Sequence, residues 1–376
     1  MKPIRIDPSE ISTESFAKRY PVVRIVDQYA SQLEELFLIR NPRFRFEPAE
    51  ENALQNFTDA HTAGLPMREA GAWFYFPWNK LLAHFLPDEM HQELRTSRNR
   101  YLITGDEQNR FREFRIGIAG LSVGSHAAHT IAMMGGAKQM RIADPDVISG
   151  SNLNRLRLDF SYVGTSKCDA VAQSIYQLDP YCDIDAFPQG VSEDNLEAFM
   201  SGLDVFVECM DQLELKIRSR LIARKLGIPV LMATDNGEGN IVDVERYDLD
   251  DKTELFNGVV GPLTLEEFKS FPPKDLLKLA TRIAGVDVVH PQMLHSVSQI
   301  GRSLYAWPQL GNAATLTGVT IAYLVKRLAN KLPLNGGRTE INLDAIFDPF
   351  YLRPEAVRER EQQRKSGLQA IGFNVQ

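Results

Sequence analysis

Cysteine is scarce in this chain: Cys168, Cys182 and Cys209 are the only three among 376 residues. None belongs to a C-x-x-C pair, so a disulfide framework and a zinc ribbon are both excluded, and no zinc is expected. No run of about eighteen apolar residues occurs, so no membrane-spanning helix is expected and no membrane partner. The opening Met1-Lys2-Pro3-Ile4-Arg5-Ile6-Asp7 lacks the apolar centre of a signal peptide. A reducing cytoplasm is the expected compartment. Basic charge is not in excess either. The net charge is -7 and the pI near 5.6, which argues against a broad nucleic-acid surface. There is no internal repeat and no low-complexity linker.

What the chain does contain is concentrated between Arg115 and Arg155. Arg115 to Ala119 reads as a short apolar strand. Gly120 and Gly124 frame a tight turn, and His126 to Met134 reads as a helix ending at Gly135-Gly136. Strand, glycine turn and helix together place backbone N–H groups and a positive helix end where a phosphate can sit. A second strand, Gln139 to Ala143, runs into Asp144-Pro145-Asp146. Asp144 lies about twenty-four residues after Gly120, near the spacing at which an acidic side chain meets a ribose hydroxyl. The polar string Ser149-Gly150-Ser151-Asn152-Leu153-Asn154-Arg155 follows and has no packing explanation.

The rest of the chain surrounds this stretch. Residues 1–105 have a different texture and are expected to form a smaller N-terminal domain. In it Val22 to Ile39 reads as one helix, stopped by Asn41-Pro42. Gly71 to Trp78 is aromatic-rich and reads as core or as a domain seam. Arg95, Arg98 and Arg100 form a basic cluster just ahead of the first strand, a solvated helix face unless one arginine reaches a triphosphate. Residues 106–335 alternate between helix and strand, with helices at Ser166 to Leu178, Glu193 to Met200 and Leu213 to Leu226. The strands are Asp183 to Phe187, Asp204 to Glu208 and Ile228 to Ala233. This is the pattern of an α/β fold with a doubly wound, mostly parallel sheet. Ligands bind such sheets outside the carboxyl ends of the strands. Gly120, Asp144 and Asp211 all fall at such ends. Ile241 to Tyr247 reads as a further strand, and 248–295 is mixed, with a loop at Phe271-Pro272-Pro273. Leu310 to Leu328 is a long helix of small and apolar residues, suited to burial against the sheet or a partner subunit. Residues 336–376 form a C-terminal extension, charged from Pro354 and expected to be partly mobile.

Asp144-Pro145-Asp146-Val147, then Ser151-Asn152-Leu153-Asn154-Arg155, then Gly164-Thr165-Ser166-Lys167, resembles the signature of the ThiF/MoeB/HesA family, relatives of ubiquitin-activating enzymes. The similarity covers roughly residues 95 to 330. It implies a Rossmann-like adenylyltransferase that uses ATP and Mg²⁺ to activate a carboxylate, the C-terminus of a ubiquitin-like carrier protein or peptide, with release of pyrophosphate. By the resemblance Asp144 binds ribose, Arg155 and Lys167 the phosphates, and Asp211 the metal. Gly120, Ser122, Gly124, Asp146, Asn152 and Asn154 complete the nucleotide-binding set. Asn99-Arg100 is similar to the family's N-terminal arginine step, whose arginine is often given to the ATP of the other subunit in a homodimer. Three departures stand out. Ser122 occupies a position where glycine is usual, Gln212 follows Asp211 in place of asparagine, and no cysteine lies after Tyr247 where thioester-forming members carry one. Adenylation without a thioester step is therefore expected. The order of aromatic and arginine segments also resembles a subgroup in which a nitroreductase-like domain can follow; 376 residues are too few to hold one.

Two other readings compete. Gly120-Leu121-Ser122-Val123-Gly124 matches the nucleophile elbow of a serine hydrolase, with His290 and His295 available as bases. An NAD(P)-dependent oxidoreductase suits the glycine turn and Asp144. Neither accounts for Arg155 and Lys167 together. A degenerate, non-catalytic binding protein is a third, against which the intact Asp144, Arg155, Lys167 and Asp211 count. Taken singly, Asn152 and Asn154 would be helix caps, and Cys209 a core cysteine.

Overall fold

Four short strands open the chain in a computed structural model that describes residues 1–373. They are β1 (Ile4–Ile6), β2 (Arg24–Val26), β3 (Ala72–Phe76) and β4 (Leu81–Phe85), in the order β1-β3-β4-β2. Every residue of β3 is buried, because this aromatic run has apolar neighbours on both faces. His84 of β4 is stacked between Trp73 and Tyr29, with ring centroids 4.2 and 4.1 Å away. This sheet belongs to the first of two compact units, residues 1–112 together with 132–138 and 172–183. The single helix expected over Val22 to Ile39 is corrected. Arg24–Val26 pairs in parallel with β4, and the helix runs from Tyr29 to Arg40. Asn41 caps its end as the Asn-Pro signal requires.

The second unit, residues 113–131, 139–171 and 184–376, holds the larger sheet. Its strands are β5 (Ile116–Ala119), β6 (Gln139–Ala143), β7 (Asp183–Phe187), β8 (Val205–Glu208), β9 (Val230–Asn236), β10 (Gly239–Glu245) and β11 (Gly337–Ile341). The order is β11-β10-β9-β8-β5-β6-β7. β6, β5, β8 and β9 are parallel, while β10 and β11 add antiparallel partners. The sheet is thus the mostly parallel, doubly wound one expected. Strand order reverses between β5 and β8, and that is where such sheets open a ligand crevice.

Side chains alternate across β9. Val230 and Met232 join the core beneath the helix Leu213–Leu226, together with Phe199 and Phe206. Asp235 faces the other way and accepts a hydrogen bond from Thr317 on the long helix Gly311–Ala329. That helix crosses close to the helix Gly124–Met133: a Cβ on Gly318 would lie 2.3 Å from the Cβ of His126. The mixed region contains three helices that the sequence reading left unassigned, Leu265–Lys269, Pro273–Ile283 and Pro291–Val297. The charged tail forms a helix from Pro354 to Ala370. Its Leu368 packs with Val289, Met293 and Leu294. Among the described residues, no helix is long and apolar enough to cross a membrane.

Candidate functional site

At the reversal point Gly120 leaves β5 with φ +92°. A Cβ there would lie 2.0 Å from the carbonyl oxygen of Cys209, so only glycine lets the β5 and β8 ends meet. The turn carries Ser122 and leads into the helix Gly124–Met133, as the strand–turn–helix reading requires. A crevice of about 600 Å³ opens there. Gly120, Ser122, Asp144, Asp146, Asn152, Arg155, Lys167 and Asp211 all line it. Gly124 and Asn154 are not among the residues that line it. Arg100 lies in the first unit, half exposed, where it pairs with Glu93 at 2.9 Å and reaches the carbonyl of Ile39.

Asp144 ends β6 and is buried. One carboxylate oxygen accepts the Leu121 N–H at 2.7 Å, the other the Asp146 N–H at 2.9 Å. Each oxygen keeps a lone pair for a further donor. Lys167 opens the helix Lys167–Leu178, an end whose partial positive charge disfavours a cation. It is nevertheless buried, held by Asp146 at 2.8 Å and Asp144 at 3.4 Å. The Lys167 N–H also bonds the Asp146 carbonyl, and Ile148 pairs with Gly164 and Thr165, so the two loops are tied together. The two aspartates thus hold the lysine against its helix dipole.

Arg155 follows the short helix Gly150–Asn154. Its Nε donates to Ser122 Oγ at 3.0 Å and its Nη1 to the Asn154 side chain at 2.9 Å. Burial lowers its pKa, with Asp235 and Asp211 opposing that. Asn152 accepts the Ser149 N–H, which is the capping role, while also lining the crevice. Asn154 donates to the Gln309 carbonyl. The Ser122 hydroxyl therefore faces an arginine and not a base, and His290 caps the helix Pro291–Val297.

Among the described residues Asp211 has neither a hydrogen-bond nor an ion-pair partner. Burial of its surroundings raises its pKa; Lys216 pulls it down, Glu208 raises it, Lys167 lowers it and Asp144 raises it. Among the described residues no group of three or more His, Cys, Asp or Glu side chains is arranged to hold a metal. All three thiols are pushed up by burial, that of Cys168 to about 12.

Several lining residues escaped the sequence reading. Trp307 and Gln309 come from the segment ahead of the long helix. Asp235 bonds Gln309 and Thr317, and burial pushes its pKa to about 6. It lay past the expected end of its strand at Ala233, although the strand-end rule that selected Asp144 would have found it. His126 went unnoticed as well. Its Nε2–H is donated to the Arg155 carbonyl, and burial lowers its pKa, so a neutral ring steadies the arginine's backbone.

The profile of the ThiF family matches residues 96–325, well over half of the chain. The chain belongs to the ThiF family. Among curated proteins this ThiF-family chain is 33% identical over 282 residues to an uncharacterized protein, MT1398, of Mycobacterium tuberculosis. That match covers 75% of this chain and 39% of the relative. It is 32% identical over 108 residues to the adenylyltransferase and sulfurtransferase UBA4 of Saccharomyces cerevisiae, covering 28% of this chain and 24% of UBA4. It is 28% identical over 158 residues to the tRNA threonylcarbamoyladenosine dehydratase of Bacillus subtilis, covering 41% of this chain and 61% of that protein. The chain thus spans less than two thirds of the length of each. Among solved structures, Escherichia coli MccB with ATP aligns with a TM-score of 0.49 at 13% identity, covering 83% of each chain.

Proposed function

We propose that this chain uses ATP to adenylate a carboxylate at the end of a protein or peptide, releasing pyrophosphate. The observation that carries it is the meeting of Asp144, Arg155, Lys167 and Asp211 in one crevice of a ThiF-family sheet, at the point where strand order reverses. In the reaction a carboxylate oxygen bonds to the α-phosphorus. The bond from that phosphorus to the bridging oxygen breaks, and pyrophosphate leaves with the electron pair. Asp144 takes a ribose hydroxyl on its spare lone pairs. Arg155 and Lys167 neutralise charge that grows on the phosphoryl oxygens, and positioning does most of the rest. The partnerless Asp211 suits Mg²⁺, which takes one or two carboxylates and completes its shell from substrate phosphates and water. That ion would supply further neutralisation of the triphosphate. The reading sets the reaction in the cytoplasm, with no thioester on the chain.

An oxidoreductase is not favoured, because Arg155 and Lys167 match the greater charge of a triphosphate better than a dinucleotide. A serine hydrolase is not favoured, because Ser122 is bonded to Arg155. Calorimetry is expected to show ATP binding with Mg²⁺ and no NAD binding, and pyrophosphate exchange is expected once the right carboxylate is supplied. Tight NAD binding with no ATP binding would sink the adenylation reading.

The reading extends to a homodimer in which Arg100 serves the partner's ATP. On the long helix, Val319 and Tyr323 are each 48% exposed and suit a subunit contact. Arg100→Ala is expected to slow exchange strongly with little change in stability, since an exposed ion pair contributes little to folding. Asp211→Ala should be inactive for a separate reason. Mixing the two inactive variants should then restore up to about a quarter of wild-type activity, through mixed dimers with one intact site. If subunits demonstrably exchange and activity stays absent, Arg100 does not act in trans.

A further inference from the structure

Beside the nucleotide crevice the second unit has another hollow, of about 340 Å³. Cys209, Met210, Asp211, Trp307 and Gln309 line both, so the two share a rim. Much of the wall away from that rim is apolar, formed by Leu213, Met232, Ile283, Ala284, Val289 and Met293, with Thr234 and Asn236 among the polar residues beside them. The few charges in the hollow are already engaged. Lys216 is bonded to Glu208 at 2.9 Å, and Asp235 accepts from Thr317 and Gln309. Apart from Asp211 on the shared rim, no unspent charge awaits a polar ligand, and the methionines of the hollow adapt to irregular apolar shapes. The volume is at the small end of ligand pockets.

A carboxylate poised at the shared rim beside Asp211 would project its neighbouring side chain into this hollow. A tail ending in Gly-Gly has no side chain to place there and would forgo the packing contacts. We infer that the hollow receives the apolar side chain adjoining the activated carboxylate, so the substrate ends in a residue of leucine or methionine size rather than in Gly-Gly. This rests on the adenylation reading of the neighbouring crevice and narrows its substrate class.

The test uses the full chain and non-hydrolysable acyl-sulfamoyl adenosines, measured by calorimetry next to ATP itself. Leucyl and methionyl compounds are expected to bind about 10- to 100-fold tighter than the glycyl compound, the effect of burying one such side chain. Ala284→Phe, which fills the hollow, should shrink that preference to about threefold or less with ATP affinity unchanged; Ala280→Leu is the milder variant should phenylalanine disturb folding. An acetyl-alanyl-leucyl compound separates the two sources of such a carboxylate. Tighter binding than the leucyl compound marks a peptide end and weaker binding a free acid, and both support the apolar hollow. A glycyl compound that binds as tightly as the leucyl one, with ATP bound normally, overturns the inference and leaves adenylation standing. Failure of ATP and of every sulfamate to bind overturns the adenylation reading beneath it.

Discussion

Arg155→Ala is expected to slow pyrophosphate exchange by about 10³-fold, with the thermal unfolding midpoint moved by only a few degrees. The side chain is half-buried and tethered by Ser122, Asn154 and the Ser151 carbonyl. His126 holds its backbone carbonyl from below. An arginine restrained in this way has little left to reorganise when charge moves onto the phosphoryl oxygens, and such preorganisation makes electrostatic catalysis effective. No buried carboxylate depends on it for a direct ion pair, so its loss strands no charge. Arg155→Lys keeps the charge without the planar fork and should recover only part of the rate. ATP affinity should fall far less than the rate. An alanine variant exchanging at more than about a tenth of the wild-type rate would show that the guanidinium does not face the reacting phosphate.

Arg220→Met is expected to destabilise the chain by about 3–5 kcal/mol. Arg220 is fully buried between Glu208 and Glu245, at 2.9 and 2.8 Å, with its guanidinium 3.6 Å from the Phe256 ring centroid. Burial pushes its pKa down, but the Glu245 and Glu208 carboxylates outweigh that and raise it. Methionine fills much the same volume and leaves both carboxylates without their shared cation. Changing Glu245 to methionine as well should restore part of the loss. The defect should also reach the crevice, because Glu208 accepts the Met210 N–H and so anchors the loop that carries Asp211. Urea titration gives the stability, and a loss under about 1 kcal/mol would mean the network carries no weight.

Legibility varied along the chain for physical reasons. The β5 turn and the Asp144 strand end could be read because an open parallel sheet brings ligand groups to strand ends, at spacings the backbone fixes, whereas Lys167, at a helix start, was singled out only through the family resemblance. The helix Leu213–Leu226 could be read because its apolar face is continuous, and Gly227 at φ +64° closes it. Arg24–Val26 was hidden because it is largely exposed and lies only a few residues ahead of a true helix. Asp235 was hidden because β9 continues past its apolar run to form a hairpin with β10. The helix Pro354–Ala370 was hidden because Leu368 is its only buried residue, too little for a periodic pattern. Part of the wall of the apolar hollow comes from Pro273–Ile283 and Pro291–Val297, short helices whose inward residues say core in any sequence.

Lys167 has one more consequence. Its ammonium is already occupied by two aspartates, so this corner of the resting crevice draws anions weakly and leaves Arg155 as the cation that meets them. A stray phosphate meets a lysine with its partners in place and two carboxylates that repel it. On the proposed adenylation reading, a nucleoside triphosphate would bring more than phosphate: its ribose hydroxyls would satisfy Asp144 as the lysine turned toward the phosphates. Admission is then by exchange of partners, and the guest must bring donors as well as charge. In a cell crowded with free phosphate, that exchange would keep the crevice available to the nucleotide, which a merely positive hollow of the same dimensions would not do.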